Sequence, residues 1–332
     1  MKKTKVVCIG EALIDRIRNK SNLEFTDFLG GAPANVAFAL RKLKIDSAFI
    51  GCLGSDEFGK KFIEQFKELK VNINFMQLDK NLPTRIVRVN RDNSGDRYFS
   101  GFEKNSDNFF ADEVLKKDLI EKDLKSLENL FLETKYLVTG TNVLTSSMTA
   151  ESIYFLLNIA NKCNVKIIID LNWREVFWDY STFSSENSTK ERYNLIKDFL
   201  NHSHILKLAK EEAILFFENE NPYEISAKMF NRSDVIVTDG ANAIKWFING
   251  MEGVTEVPKF SNIMDTTGAG DAFLAGLISK LVSYEYPSCK FEIQNCIRFA
   301  SVCGLLTCLG EGAIEPQPDY EKVIEFLGSH IL

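Results

Sequence analysis

A chain of 332 residues with 45% hydrophobic residues, 26% charged residues and a net charge of -6 has the balance of an ordinary globular protein and lacks the basic excess by which nucleic acid is gripped. No stretch approaches the roughly 20 apolar residues of a membrane span, and the apolar run after Met1-Lys2-Lys3 stops at Ile9, too short for a secretory signal. Seven cysteines without a CxxC pair read as reduced, packed thiols, so the cytoplasm is the expected compartment, with neither nucleic acid nor membrane as partner.

In chain order, short β-branched runs predict strands at 5–9, 47–51, 136–139, 166–170, 205–208 and 235–238. Apolar residues at three- and four-residue spacing predict helices at 34–43, 57–69, 150–161, 190–200 and 210–218. This alternation implies an α/β fold, a mainly parallel sheet flanked by helices, with ligands at the carboxyl ends of its strands. Two segments, 13–29 and 84–103, break the rhythm. The second contains the turn-forming Asp92-Asn93-Ser94-Gly95-Asp96, and together they predict a small β-sheet, either a lid over a cleft or a dimer contact. No Pro-rich linker or repeat divides the chain, so residues 1–332 are expected to form one domain carrying that lid.

The sharpest chemical feature is Asp265-Thr266-Thr267-Gly268-Ala269-Gly270-Asp271, which runs into the apolar stretch Ala272 to Ile278. Small residues at Gly268, Ala269 and Gly270 let backbone N–H groups converge at a helix start, whose partial positive charge suits a phosphate. Asp271, in the first turn, would then stand beside that anion hole as a base for a substrate hydroxyl. The plainer alternative is a helix cap at Asp265 or Thr267, with Asp271 complementing the dipole. A second glycine turn, Gly30-Gly31-Ala32-Pro33-Ala34-Asn35, also feeds a helix and places Asn35 near its start. Gly54 to Lys61 matches GxxxxGK but carries Lys where a phosphate loop needs Ser or Thr; Ser55, Asp56 and Glu57 read as a cap and acidic first turn.

Taken together, Gly30 to Ala37, Gly51 to Gly59 and Asp265 to Asp271 resemble the ribokinase-like (PfkB) carbohydrate kinases, over Val6 to about Pro318. Within that family, Gly10-Glu11-Ala12-Leu13-Ile14-Asp15 and Asp170-Leu171-Asn172-Trp173-Arg174 are most similar to fructokinases. The resemblance implies Asp15, Gly30, Gly31, Asn35 and Asn172 as sugar contacts, Asp271 as catalytic base, and Gly268 to Gly270 with Arg174 on the transferred phosphoryl group. It further implies Lys207, Thr238 and Gly240 on the nucleotide side, and Asp265 and Thr267 near a monovalent cation such as potassium. In the family a Glu stands near the ATP phosphates at the position that Lys207-Leu208-Ala209-Lys210 gives to Lys210, with Glu211 or Glu212 as its expected substitutes through a small backbone shift. His202, His204 and His330 lie outside these motifs and read as surface residues.

The expectation is thus a kinase moving the γ-phosphate of MgATP to the terminal hydroxyl of a sugar, with D-fructose first. The lid is expected to exclude water or to hold a homodimer together. 2-Keto-3-deoxygluconate, ribose or a nucleoside would serve the same chemistry, with lid residues Phe99, Phe102 and Lys104 discriminating among them. A weakly catalytic binding or regulatory protein on the same fold is the alternative of another class.

Overall fold

The computed structural model describes residues 4–18, 24–91, 97–103, 109–179, 187–260 and 262–329. Its strands are, in order, β1 (Val6–Ile9), β2 (Leu13–Arg18), β3 (Phe25–Gly30), β4 (Ser47–Ile50), β5 (Cys52–Gly54), β6 (Gln77–Asp79), β7 (Ile86–Arg91) and β8 (Arg97–Phe102). There follow β9 (Tyr136–Gly140), β10 (Lys166–Asp170), β11 (Ile205–Ala209), β12 (Asp234–Thr238), β13 (Ile244–Ile248) and β14 (Met251–Thr255). The six strands expected from the β-branched runs are all present, each within a residue or so of its predicted bounds.

The main sheet has the order β14-β13-β12-β11-β10-β9-β1-β4, parallel from β4 to β12. Because successive side chains point to opposite faces of a strand, Val6 and Cys8 join one apolar cluster and Val7 and Ile9 the other. The helices Ala32–Lys42, Ala269–Ser283 and Lys290–Thr307 cover the first face. Helices Leu124–Glu133, Ser147–Lys162, Asn187–Leu200 and Lys210–Phe217 cover the second. Burial on both sides explains why the parallel strands read as continuous apolar runs. A fully buried Ile or Phe in such a layer contributes about 1.5–3 kcal/mol.

The antiparallel edge β13-β14 is an element the strand reading missed. Asn249 and Gly250 both have positive φ, 50° and 72°, which is the two-residue hairpin turn that Asn-Gly favours. The signal was present in Ile248-Asn249-Gly250-Met251.

A separate four-stranded sheet, β3-β2-β7-β8, is built from the two segments that broke the alternation. β2 pairs antiparallel with β3 and parallel with β7, and β7 pairs antiparallel with β8. Arg16 on β2 ties this sheet together through Asp27 at 2.6 Å and Glu103 at 3.2 Å. The turn at 92–96, Lys104 and His330 lie outside the described residues, as does the side chain of Phe99. A third pair, β5-β6, is parallel. Asp56 caps the helix Glu57–Glu68 by accepting from the Gly59 N–H at 2.8 Å, and it also accepts from the Thr84 N–H at 2.7 Å. The GxxxxGK stretch is therefore a capped helix start.

Candidate active site

Four carboxyl ends of the parallel sheet converge on one cavity of about 400 Å³. β1 delivers Glu11, β9 delivers Asn142, β10 delivers Asn172 and Arg174, and β11 carries Lys207. Two helix starts complete the wall, with Gly31 and Asn35 on one side and Thr266, Thr267, Gly268, Gly270 and Asp271 on the other. The small sheet closes it with Leu13 and Asp15 from β2 and Val87 and Val89 from β7.

Each helix start is shaped by a glycine that no other residue could replace without strain. Gly31 has φ 96°, and a Cβ there would lie 2.6 Å from the Glu11 carbonyl oxygen. Gly268 has φ 74°, and its Cβ would sit 2.8 Å from the Ala313 backbone. Gly268 is the N-cap of Ala269–Ser283, with no side-chain cap bond. This overturns the capping alternative for Asp265 and Thr267. The Asp265 carboxylate instead accepts from the Thr267 N–H at 3.1 Å, the Thr267 hydroxyl at 2.9 Å and the Gly312 N–H at 2.8 Å. It pins the turn to the loop that packs behind Gly268, and the uncapped helix start stays open to an anion.

Asp271 lies in the first turn and meets Asn35 across the cleft, Asn35 Nδ2–H donating to Asp271 Oδ2 at 2.8 Å. Burial pushes the Asp271 carboxyl up to about 7; Asn35 opposes that rise, Asp170 adds to it, and Lys207 and Arg174 oppose it. A carboxyl poised near neutrality suits a general base. Asp170 and Lys207 are register partners on β10 and β11, and the Lys207 ammonium donates to both Asp170 oxygens at 3.0 and 2.8 Å. Burial alone would draw Lys207 down, yet Asp170, Glu212 and Asp271 hold it above its usual range. A Cβ on Gly270 would come within 3.2 Å of the Lys207 Nζ, so this cation stands at the mouth of the uncapped helix.

Asn172 adopts a left-handed φ of 43°, a conformation Asn tolerates better than most residues. Glu212 holds the loop that follows: its Oε1 accepts from the Trp173 N–H and its Oε2 from the Ala209 N–H, both at 2.7 Å. Arg174 continues from that loop into the cavity. Lys210 departs from its expected place. Its ammonium pairs with Asp239 at 3.2 Å and Glu220 at 3.4 Å, outside the residues that line the cavity, and the inward acid of this turn is Glu212.

Of the residues singled out from sequence, Asp15, Gly31, Asn35, Asn172, Arg174, Lys207, Thr267, Gly268, Gly270 and Asp271 line the one cavity. Gly30, Ala269 and Asp265 stand just behind it; a Cβ on Gly30 would collide with the Asp15 carboxylate. Thr238 and Gly240 do not reach it, lying at the carboxyl end of β12, one strand further along. Glu11, Asn142, Thr266 and Phe177 were missed as lining residues. Asn142 follows a strand that was predicted, and position after a parallel strand was the signal available. His204 accepts from the Ile167 N–H at 3.1 Å and His202 packs on Tyr154, both away from the cavity. Among the described residues no three His, Cys, Asp or Glu side chains gather as metal ligands.

A parallel sheet that brings a lysine, an arginine and a near-neutral carboxyl to an uncapped helix start defines a phosphotransferase, with charge compensation and a base in one cleft. The chain belongs to the pfkB family of carbohydrate kinases, whose family model matches residues 3–320. It is 31% identical to "Probable fructokinase-6, chloroplastic" of Arabidopsis thaliana, covering 97% of this chain and 82% of that one. Among solved structures it is similar to the fructokinase from Xylella fastidiosa with bound ATP, with a TM-score of 0.82, 23% identity and coverage of 98% and 99% of the two chains. A double mutant of the Vibrio cholerae fructokinase, bound to fructose, ADP and potassium, superposes with a TM-score of 0.81 at 22% identity over 98% of both chains. The fold is the ribokinase-like one expected, and among the described residues no helix is long and apolar enough to cross a membrane.

Proposed function

We propose that this carbohydrate kinase phosphorylates D-fructose on its terminal hydroxyl, with MgATP as donor and fructose 6-phosphate as product. The observation that carries the chemistry is Asp271, held by Asn35 beside the uncapped helix start and the Lys207 ammonium. The sugar hydroxyl oxygen attacks the γ-phosphorus, the bond to the β-phosphate oxygen breaks, and the hydroxyl proton passes to Asp271 as ADP leaves. The N–H groups from Gly268 to Gly270, with Lys207 and Arg174, offset the charge that spreads over the transferring group. Asp15, Gly30, Gly31, Asn35 and Asn172 orient the sugar. Fructose is favoured over other acceptors by the names of the relative and of the two solved structures compared above.

In this reading residues 1–332 form one kinase domain and the segments 13–29 and 84–103 act as its lid, excluding water when sugar binds. The apolar Leu13, Val87 and Val89 on the cavity wall support that role. Thr238 and Gly240 serve the far, nucleoside end of ATP, and a potassium ion beside Asp265 and Thr267 steadies the anion hole. A homodimer through the lid and a cytoplasmic location belong to the same proposal, the latter supported by seven cysteines free of disulfides.

The test is ADP release in a coupled assay with MgATP and fructose, ribose, 2-keto-3-deoxygluconate or adenosine, each alongside Asp271→Asn. Asp271-dependent turnover that is fastest on fructose is expected. Preference for another acceptor would move the substrate, and silence on the whole panel would sink the kinase reading of this chain.

A further inference from the structure

At the base of the cavity, the ends of β1 and β9 set Glu11 beside Asn142. Both are almost wholly buried, 6% and 7% exposed. Asn142 Nδ2–H donates to Glu11 Oε1 at 3.2 Å, which leaves two acceptors, Glu11 Oε2 and Asn142 Oδ1, buried without a hydrogen-bond partner. A buried carboxyl oxygen without a hydrogen-bond partner is costly and rare in folded proteins. Both residues line the main cavity, and both also line a recess of about 10 Å³ behind it.

The surroundings leave these acceptors unsatisfied from within. Arg85, the nearby cation on the recess wall, is committed to Asp112 at 2.8 Å and Glu113 at 3.3 Å, and it is stacked against Phe102, Phe110 and Phe177 at 4.5 to 5.0 Å. The recess has room for about one water molecule, so the main cavity is where larger donors must enter. Phosphoryl transfer makes no use of the pair, since the proton goes to Asp271 and the phosphate faces Lys207 and the helix start.

We propose that Glu11 and Asn142 form an acceptor-only subsite that reads hydroxyl groups of the sugar other than the one phosphorylated. One hydroxyl donates to Glu11 Oε2 and a neighbouring hydroxyl donates to Asn142 Oδ1. The inference rests on the sugar-kinase reading above and deepens it, because it makes vicinal hydroxyls a requirement of the acceptor. A site that pairs a hydroxyl with a buried acceptor rejects the analogue that lacks it.

The decisive experiment compares wild type, Glu11→Gln and Asn142→Ser on fructose and a set of monodeoxy-fructoses. Glu11→Gln is expected to raise the KM for fructose about 10- to 100-fold, the loss of one buried hydrogen bond that leaves a polar group unpaired, while kcat moves less than about threefold and the KM for MgATP stays put. One deoxy analogue should bind wild type as weakly as fructose binds Glu11→Gln, and should lose nothing further on that variant. Thermal stabilisation by MgATP alone reports whether a variant is folded; if Glu11→Gln fails that check, the same cycle with Asn142→Ser decides. A fructose KM within about twofold of wild type, or equal weakening of every analogue together with MgATP, would overturn the subsite while leaving Asp271-dependent turnover, and the kinase reading, intact. Wild type that phosphorylates no sugar would overturn both.

Discussion

Asp271 is held as a carboxyl whose proton is more tightly bound in the folded chain than in the unfolded one, about 7 against 3.8, first because of burial. The activity, kcat/KM, should therefore rise with pH through about 7 as the base ionises. Asn35→Ala removes the hydrogen bond that favours the carboxylate, and the acid limb of the pH profile should move to higher pH. For stability the sign runs the other way. Between about 4 and 7 the native state binds the extra proton, so stability falls as pH rises across that window. Asp271→Asn abolishes this penalty and should raise the Tm measured above pH 7, while cutting kcat by about 10²- to 10⁴-fold. Lys207→Met presents the opposite case: it strands Asp170 in the sheet without its partner, and should cost about 3–5 kcal/mol in denaturant unfolding.

At the scale of the element, the helix Ala269–Ser283 combines a chemical end and a structural body. Residues Ala272 to Ser279 are buried, packing on Ala32–Lys42 and Lys290–Thr307, so the position of its first turn is fixed by the core behind it. Gly268→Ala places a Cβ against Ala313 and forces a left-handed conformation on an L-residue, at a cost of about 1–2 kcal/mol in urea unfolding. The KM for MgATP should rise in the same variant, because the N–H groups of the turn must shift. This helix was legible because small residues, an acid and a long apolar run stand in one order that few other structures use. The hairpin β13-β14 was missed because its burial alternates along β13, leaving a weaker apolar signal than the parallel strands give. Lys210 was misplaced for a related reason. One residue along a helix turns a side chain by about 100°, so neither spacing nor type could tell that Lys210 faces outward and Glu212 inward.

For the whole molecule, sugar binding should join the small sheet to the main body. Slower amide exchange at Leu13–Arg18 and Ile86–Arg91 with fructose present is the expected result, and unchanged exchange there would remove the lid role. Ligand at about 100 times its Kd should add about 2.7 kcal/mol to stability, and Asp271→Asn should keep that gain, since it removes the base and leaves the cavity. The amino-acid sequence by itself determined the alternation of strands and helices, the two glycine turns and the carboxyl that follows the second, because these depend on local backbone freedom and on periodicity. Only the tertiary structure decided that Asn35 meets Asp271, that Lys207 is clamped by Asp170, and that Glu11 and Asn142 share a floor with two unmet acceptors. Those contacts join residues as much as 236 positions apart, and they exist only once parallel strands bring their carboxyl ends to one side of the sheet.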